Sequence, residues 1–119
     1  MDANDDTEFN LMVQGKPYLA SDPYIGRVAT AQRAKLRAIN VQLDATKRTT
    51  LLHDFFTVTD EGESAWEIGI VEPFFCEYGF NIHIGNDTVF NTGCVILDVC
   101  PGMTFAHFSH LEFIDFCKP

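Results

Sequence analysis

The sequence has little positive charge, no long apolar run and no paired-cysteine motif, and each absence removes a class of function. Eight Lys and Arg stand against 17 Asp and Glu, a formal net charge of −9, so nucleic acid and anionic membrane surfaces are poor partners. No stretch approaches the roughly 18–20 apolar residues of a membrane helix. The N-terminus is acidic (Asp2, Asp5, Asp6 and Glu8), without the basic flank and apolar core of a secretory signal. The four cysteines, Cys76, Cys94, Cys100 and Cys117, form no CxxC pair. Buried reduced thiols in a reducing, cytoplasmic protein are the reading this spacing favours, with no metal site assigned. What remains is a 46% hydrophobic chain of 119 residues, enough for one modest core.

The clearest positive signal is a period of six from Tyr78 to Pro101. Consecutive hexads read Tyr78-Gly-Phe-Asn-Ile-His, Ile84-Gly-Asn-Asp-Thr-Val, Phe90-Asn-Thr-Gly-Cys-Val and Ile96-Leu-Asp-Val-Cys-Pro. Position one is large and apolar each time (Tyr78, Ile84, Phe90, Ile96). Position five (Ile82, Thr88, Cys94, Cys100) is mostly small or β-branched. Gly79, Gly85 and Asn91 at position two tolerate tight or left-handed backbone. Such a repeat describes a triangular parallel β-helix with three hexads to a coil, against the simpler alternative of two alternating strands with Gly and Asn turns.

Ahead of the repeat the pattern is helical. Thr7 to Gln14 reads as a short helix stopped by Gly15. Asp22-Pro23 opens a longer one, with Asp22 or Ser21 as N-cap and Pro at the first helical position. It runs to a stop at Asn40 and carries Ile25, Val28, Ala29, Leu36 and Ile39 on one stripe. A third helix starts near Asp44 or Thr46 and ends at Phe56, with Leu51, Leu52, Phe55 and Phe56 as its apolar residues. The acidic Asp60-Glu61-Gly62-Glu63 segment reads as a solvated loop. From Trp66, alternation through Ile68 and Ile70 marks strand, broken at Glu72-Pro73.

Two segments carry a family resemblance. Met12-Val-Gln-Gly-Lys-Pro-Tyr18-Leu-Ala-Ser-Asp-Pro23 resembles the opening of maltose and galactoside O-acetyltransferases. So does Val71-Glu-Pro-Phe-Phe-Cys-Glu-Tyr-Gly-Phe-Asn-Ile-His-Ile-Gly85, continued by Phe90-Asn-Thr-Gly-Cys-Val-Ile-Leu-Asp-Val-Cys-Pro101. The resemblance to this hexapeptide-repeat family covers about residues 8 to 101. It implies an α+β chain: an N-terminal α-helical region, then the first coil or coils of a left-handed parallel β-helix, incomplete here. The expected divisions are a disordered acidic terminus at 1–6, a helical region at 7–65, the start of the β-helix at 66–101 and a tail outside the family pattern at 102–119. The resemblance also implies acetyl transfer from acetyl-CoA, as co-substrate and with no covalently bound cofactor, to a hydroxyl of maltose, glucose or a galactoside, in a homotrimer.

By the same resemblance Asn91 lies beside the sugar, Asp98 falls at an acidic position near it, and Glu77 and Tyr78 border the acceptor pocket. Asn91 also fits a left-handed corner residue, and Asp98 a turn carboxylate accepting from local N–H groups. The chemistry asks for a base to take the sugar proton and a donor to steady the oxyanion. The family's histidine base stands in a Thr-His-Pro-type segment after further hexads. After Pro101 this chain instead reads Gly-Met-Thr-Phe-Ala-His-Phe-Ser-His-Leu-Glu-Phe-Ile-Asp-Phe-Cys-Lys-Pro. No catalytic or CoA-binding residue is therefore assigned, and His107, His110, His83 and His53 lack the motif. The expectation is a truncated family member, inactive alone and prone to self-association through an open coil end and Phe105, Phe108, Phe113 and Phe116. The alternative is a non-catalytic subunit docking on a full-length acetyltransferase trimer.

Overall fold

The computed structural model describes residues 5–58, 68–85 and 88–102, with the backbone of two further strands at 104–105 and 113–115. Helix α1 is Thr7–Val13, α2 Pro23–Val41 and α3 Ala45–Phe55. Their ends follow side-chain and backbone capping. Asp22 accepts from the Ile25 N–H at 3.1 Å, and Asp44 from the Lys47 N–H at 2.9 Å. Beyond α1, the Gly15 N–H donates to the Met12 carbonyl and the Lys16 N–H to the Leu11 carbonyl, with Gly15 at φ 73°. This is a Schellman closure that glycine makes without steric cost. Helix α2 continues one residue past the expected stop at Asn40, because Asn40 has another task described below. No helix among the described residues is long and apolar enough to cross a membrane.

Among the described residues eight short strands follow: β1 Thr57–Val58, β2 Ile68–Ile70, β3 Phe75–Cys76, β4 His83–Ile84, β5 Thr88–Phe90, β6 Val95–Leu97, β7 Thr104–Phe105 and β8 Phe113–Asp115. They form three sheets, ordered β1-β4-β7, β2-β5 and β3-β6-β8, and every pairing is parallel. From β1 to β7 successive strands thus visit three faces in rotation and return one layer on. Ile68 pairs with Thr88, Phe75 with Val95, His83 with Thr104 and Val95 with Phe113. These four returns take about 18 to 21 residues, close to three hexads, while the first, from Thr57 to His83, is longer. The hexad positions sort as read: Tyr78, Ile84, Phe90 and Ile96 are buried, as are Ile82, Thr88, Cys94 and Cys100.

The strands differ from the sequence reading at two places. Thr57–Val58 lies inside the segment read as helical, yet pairs with β4. Residues 102–119 were set outside the repeat, yet β7 and β8 extend two of the sheets. The free edges of β4 and β6 offer rows of N–H and C=O groups, and an extended segment can satisfy them without hexad side chains. The reading of all cysteines as reduced also changes. Cys76 and Cys94 are free and buried, but Cys100 is disulfide-bonded, its partner lying outside the described residues. The acidic 60–63 loop, Trp66, and His107 and His110 lie outside the described residues too.

Helices α2 and α3 share a core with the coil. Leu36 and Ile39 of α2, and Leu52, Phe55 and Phe56 at the end of α3, pack with Ile68, Ile70, Phe74, Ile84, Phe90 and Ile96 of the coil. Phe56 meets Phe74 and Phe90 edge-on at 5.9 Å, while Phe74 and Phe90 stack at 5.2 Å. Such pairs add about 0.5–1.5 kcal/mol each beyond area burial. Polar ties set the docking angle of α2. The Asn40 side-chain amide accepts from the Phe74 N–H at 2.8 Å and donates to the Phe74 carbonyl at 2.9 Å. Asn40 therefore splices the last turn of α2 onto a corner of the coil.

Candidate functional site: a cavity against the turn after β3

Where β3 leaves its face, Glu77, Tyr78 and Gly79 turn the chain, and three other parts of the molecule converge on them. The Asp98 carboxylate, one layer on and following β6, accepts all three backbone N–H groups. Its Oδ1 takes those of Glu77 at 2.9 Å and Tyr78 at 3.0 Å, and its Oδ2 that of Gly79 at 2.7 Å. From α2, the buried Gln32 amide donates to the Tyr78 carbonyl. From α3, the Phe55 ring lies against Gly79, whose φ is 90°. A Cβ there would sit 2.5 Å from ring carbons. Glycine is required on both counts.

The wall so formed faces a cavity of about 290 Å³ between the coil and α2. Tyr18, Ala29, Arg33, Phe75, Cys76, Glu77 and Tyr78 line it. Burial, and then the Glu77 carboxylate, pushes the Tyr78 phenol up to about 12, and the same two causes raise Tyr18. Both phenols are therefore neutral hydrogen-bonding groups at physiological pH. Burial holds Cys76 well above its ordinary value and Cys94 at about 11, so neither is a ready thiolate nucleophile. Burial also pushes the Asp98 carboxyl up to about 6, against the opposing pull of the three N–H donors. A carboxylate, a guanidinium and two phenols around a space of this size suit a neutral, hydroxyl-rich ligand, which both donates and accepts. Among the described residues no three His, Cys, Asp or Glu gather as a metal site.

The four residues singled out from sequence are divided by the fold. Glu77 and Tyr78 line the cavity. Asp98 stands behind their turn, fully buried, with both carboxylate oxygens engaged by backbone. Asn91 occupies a different corner, between β5 and β6. There its side-chain oxygen accepts from the Thr92 N–H at 2.9 Å and its carbonyl accepts from the Cys94 N–H. That corner stacks on the previous layer through the Gly93 N–H to the Pro73 carbonyl and the Thr92 hydroxyl to the Glu72 carbonyl, each 2.9 Å. Sequence reasoning missed Tyr18, Arg33 and Phe75 as cavity residues. Tyr18 lies in the family-like segment Met12–Pro23, directly after the Gly15-Lys-Pro turn, and that position is the one available signal. Arg33 falls off the apolar stripe of α2, and nothing in the sequence around it marks a cavity residue.

No family model matches the sequence. Nodulation protein L from Rhizobium meliloti (strain 1021) is 38% identical over 94 residues, covering 78% of this chain and 49% of that protein. A maltose O-acetyltransferase from Clostridium difficile 630 superposes with a TM-score of 0.77 and 26% identity, over 92% of this chain and 57% of its own. A hexapeptide-repeat acetyltransferase from Vibrio cholerae, solved with acetyl coenzyme A, superposes with a TM-score of 0.66 and 27% identity, over 84% of this chain and 51% of its own. The relatives of this chain are hexapeptide-repeat acetyltransferases. The chain spans about half the length of the curated relatives it matches.

Proposed function

We propose that these residues form the acceptor side of a sugar O-acetyltransferase: a helical region on the first coils of a left-handed β-helix, binding maltose, glucose or a galactoside for acetylation by acetyl-CoA. The observation that carries the reading is the cavity lined by Tyr18, Arg33, Glu77 and Tyr78, with hydrogen-bonding groups matched to a polyol. Glu77 and Tyr78 touch the sugar in this reading. Asn91, at its separate corner, meets the acceptor only where another copy of the chain brings a cavity alongside it, as in the homotrimer the resemblance implies. The general base and the CoA wall come from outside these 119 residues.

The test has two arms. Isothermal titration of the 119-residue chain with maltose should give saturable binding, while acetyl-CoA plus maltose should release thiol no faster than a blank. A missing base alone removes about 10²–10⁴ in rate. Absence of binding to any of the three sugars contradicts the acceptor reading, and sugar-dependent thiol release contradicts the placing of the base outside these residues. A second reading, an interaction subunit docking on a complete acetyltransferase, is favoured by the exposed Val41, Leu43, Phe75 and Val89. Self-association through the same residues belongs with it. Co-elution with a full-length relative, lost in Leu43→Ser, a position away from the acceptor cavity, would separate it from the first.

A further inference from the structure

We propose that Asp98 is a positioning residue for the acceptor cavity, acting through the backbone of Glu77, Tyr78 and Gly79 and making no contact with the ligand. This rests on the acceptor reading for the identity of the ligand, and on geometry alone for the clamp. Three observations carry it. Asp98 is 0% exposed, so no solute reaches its carboxylate. Both oxygens are occupied, by N–H groups at 2.9, 3.0 and 2.7 Å. The two residues held by Oδ1, Glu77 and Tyr78, both line the cavity.

Three consecutive N–H groups turned toward one anion form a nest, the arrangement that elsewhere cradles phosphates. Here the anion is internal, and the layer beneath the turn supplies it. The same residue is fixed in its turn, since the Asn81 side-chain amide donates to the Asp98 carbonyl at 2.7 Å. Gln32 holds the outer side of the turn through the Tyr78 carbonyl, and Phe55 bars Gly79 from shifting toward α3. The wall of the cavity is therefore set before any ligand arrives, which spares the ordering cost of binding. Asp98 is the only member of this set that grips Glu77, Tyr78 and Gly79 together.

Asp98→Asn is the discriminating variant. Its carbonyl can still accept from Glu77 and Tyr78, but its NH₂ faces the Gly79 N–H, donor against donor. Amide hydrogen exchange by NMR should speed up at Glu77, Tyr78 and Gly79 by about tenfold or more, the weight of roughly one lost charged hydrogen bond, while Ile84, Phe90 and Ile96 keep their rates. The Tyr78 phenol, released toward water, should titrate closer to its ordinary value. Maltose affinity should fall by a similar factor. Unchanged exchange at the three amides overturns the clamp whether or not sugar binds. Faster exchange with unchanged maltose affinity overturns the positioning role. If the wild-type chain binds no sugar, the acceptor reading fails, and the Tyr78 titration then decides positioning. Should Asp98→Asn not fold, couplings across the hydrogen bonds from the three amide nitrogens to the Asp98 carboxyl carbon can be sought in the wild-type chain. Their presence supports the clamp and their absence overturns it.

Discussion

The corner at Glu77–Gly79 and the corner at Asn91–Gly93 both turn the chain between faces of the coil, and both end in a glycine of positive φ. They are held by different means. The first is gripped by a buried carboxylate from the next layer, an amide from α2 and a ring from α3. The second rests on backbone bonds and a threonine hydroxyl to the layer before it, with open space beside Gly93. A repeat supplies a corner cheaply, and the second is what the repeat alone provides. The first has been elaborated by residues far away in sequence, and a cavity with polar walls stands against it. Within a periodic fold, the departure from periodic bracing marks the candidate site.

The widest gap between the corners should appear on adding one methyl group to each. Gly79→Ala meets both a left-handed backbone and the Phe55 ring. The two together should cost about 3–4 kcal/mol or abolish folding, from roughly 1–2 for the backbone and 1–3 for overpacking. Gly93→Ala, with nothing within 4 Å of the new atom, should cost only the backbone share of about 1–2 kcal/mol. Urea denaturation of the two variants compares them directly, and equal losses would remove the distinction.

A second comparison sets two asparagines side by side. Asn40→Ala forfeits both bonds to the Phe74 backbone and should cost about 2–3 kcal/mol, since it leaves a donor and an acceptor unmatched. Asn91→Ala, which gives up a local bond from its neighbour's N–H, should stay within about 1 kcal/mol. Loss of more stability from Asn91 than from Asn40 would place structural weight at the wrong corner.

Acid titration sharpens the contrast, because the Asp98 grip carries its own cost. Its folded-state value of about 6 lies above the ordinary 3.8. The folded chain therefore binds this proton more tightly than the unfolded one. The stabilisation is fully present below about pH 4 and is lost as pH rises through 6. The amount is at most about 3 kcal/mol, at 1.4 kcal/mol per unit. Wild type should thus lose stability between pH 4.5 and 7 relative to Asp98→Asn. A relative gain over that window would mean that the three N–H bonds outweigh burial. At the other extreme, Lys35→Ala removes an exposed ion pair of 3.9 Å to Asp54 and should move stability by less than about 0.5 kcal/mol.

Much of this was legible in the sequence because it is local or periodic. Asp22 and Asp44 cap helices within their own first turns, and Gly15 closes α1 within two residues. The hexads sort Ile84, Phe90 and Ile96 inward by simple repetition. What was not legible is non-local or short. Thr57–Val58 is two residues long and carries no period, and β7 and β8 join by offering backbone to an open edge. Asn40 looked like a helix stop because nothing near it announces Phe74, 34 residues on. Arg33 and Tyr18 become cavity residues only when α2 lies across β3, and that placement is decided by Gln32 and Asn40. Asp98 carries two readings in sequence, ligand contact or turn carboxylate, and only the fold reveals its burial and its three backbone N–H partners.

The central claim, that the cavity against the Glu77–Gly79 turn receives the sugar, is tested most directly by a ¹⁵N NMR titration of the chain with maltose. The account predicts saturable shifts in the Arg33, Glu77, Tyr78 and Gly79 amides and in Tyr18, with the Thr92 and Gly93 amides of the other corner still. Saturable shifts centred on Asn91–Gly93 with Glu77 and Tyr78 unmoved, or no saturable shift at all, would contradict it.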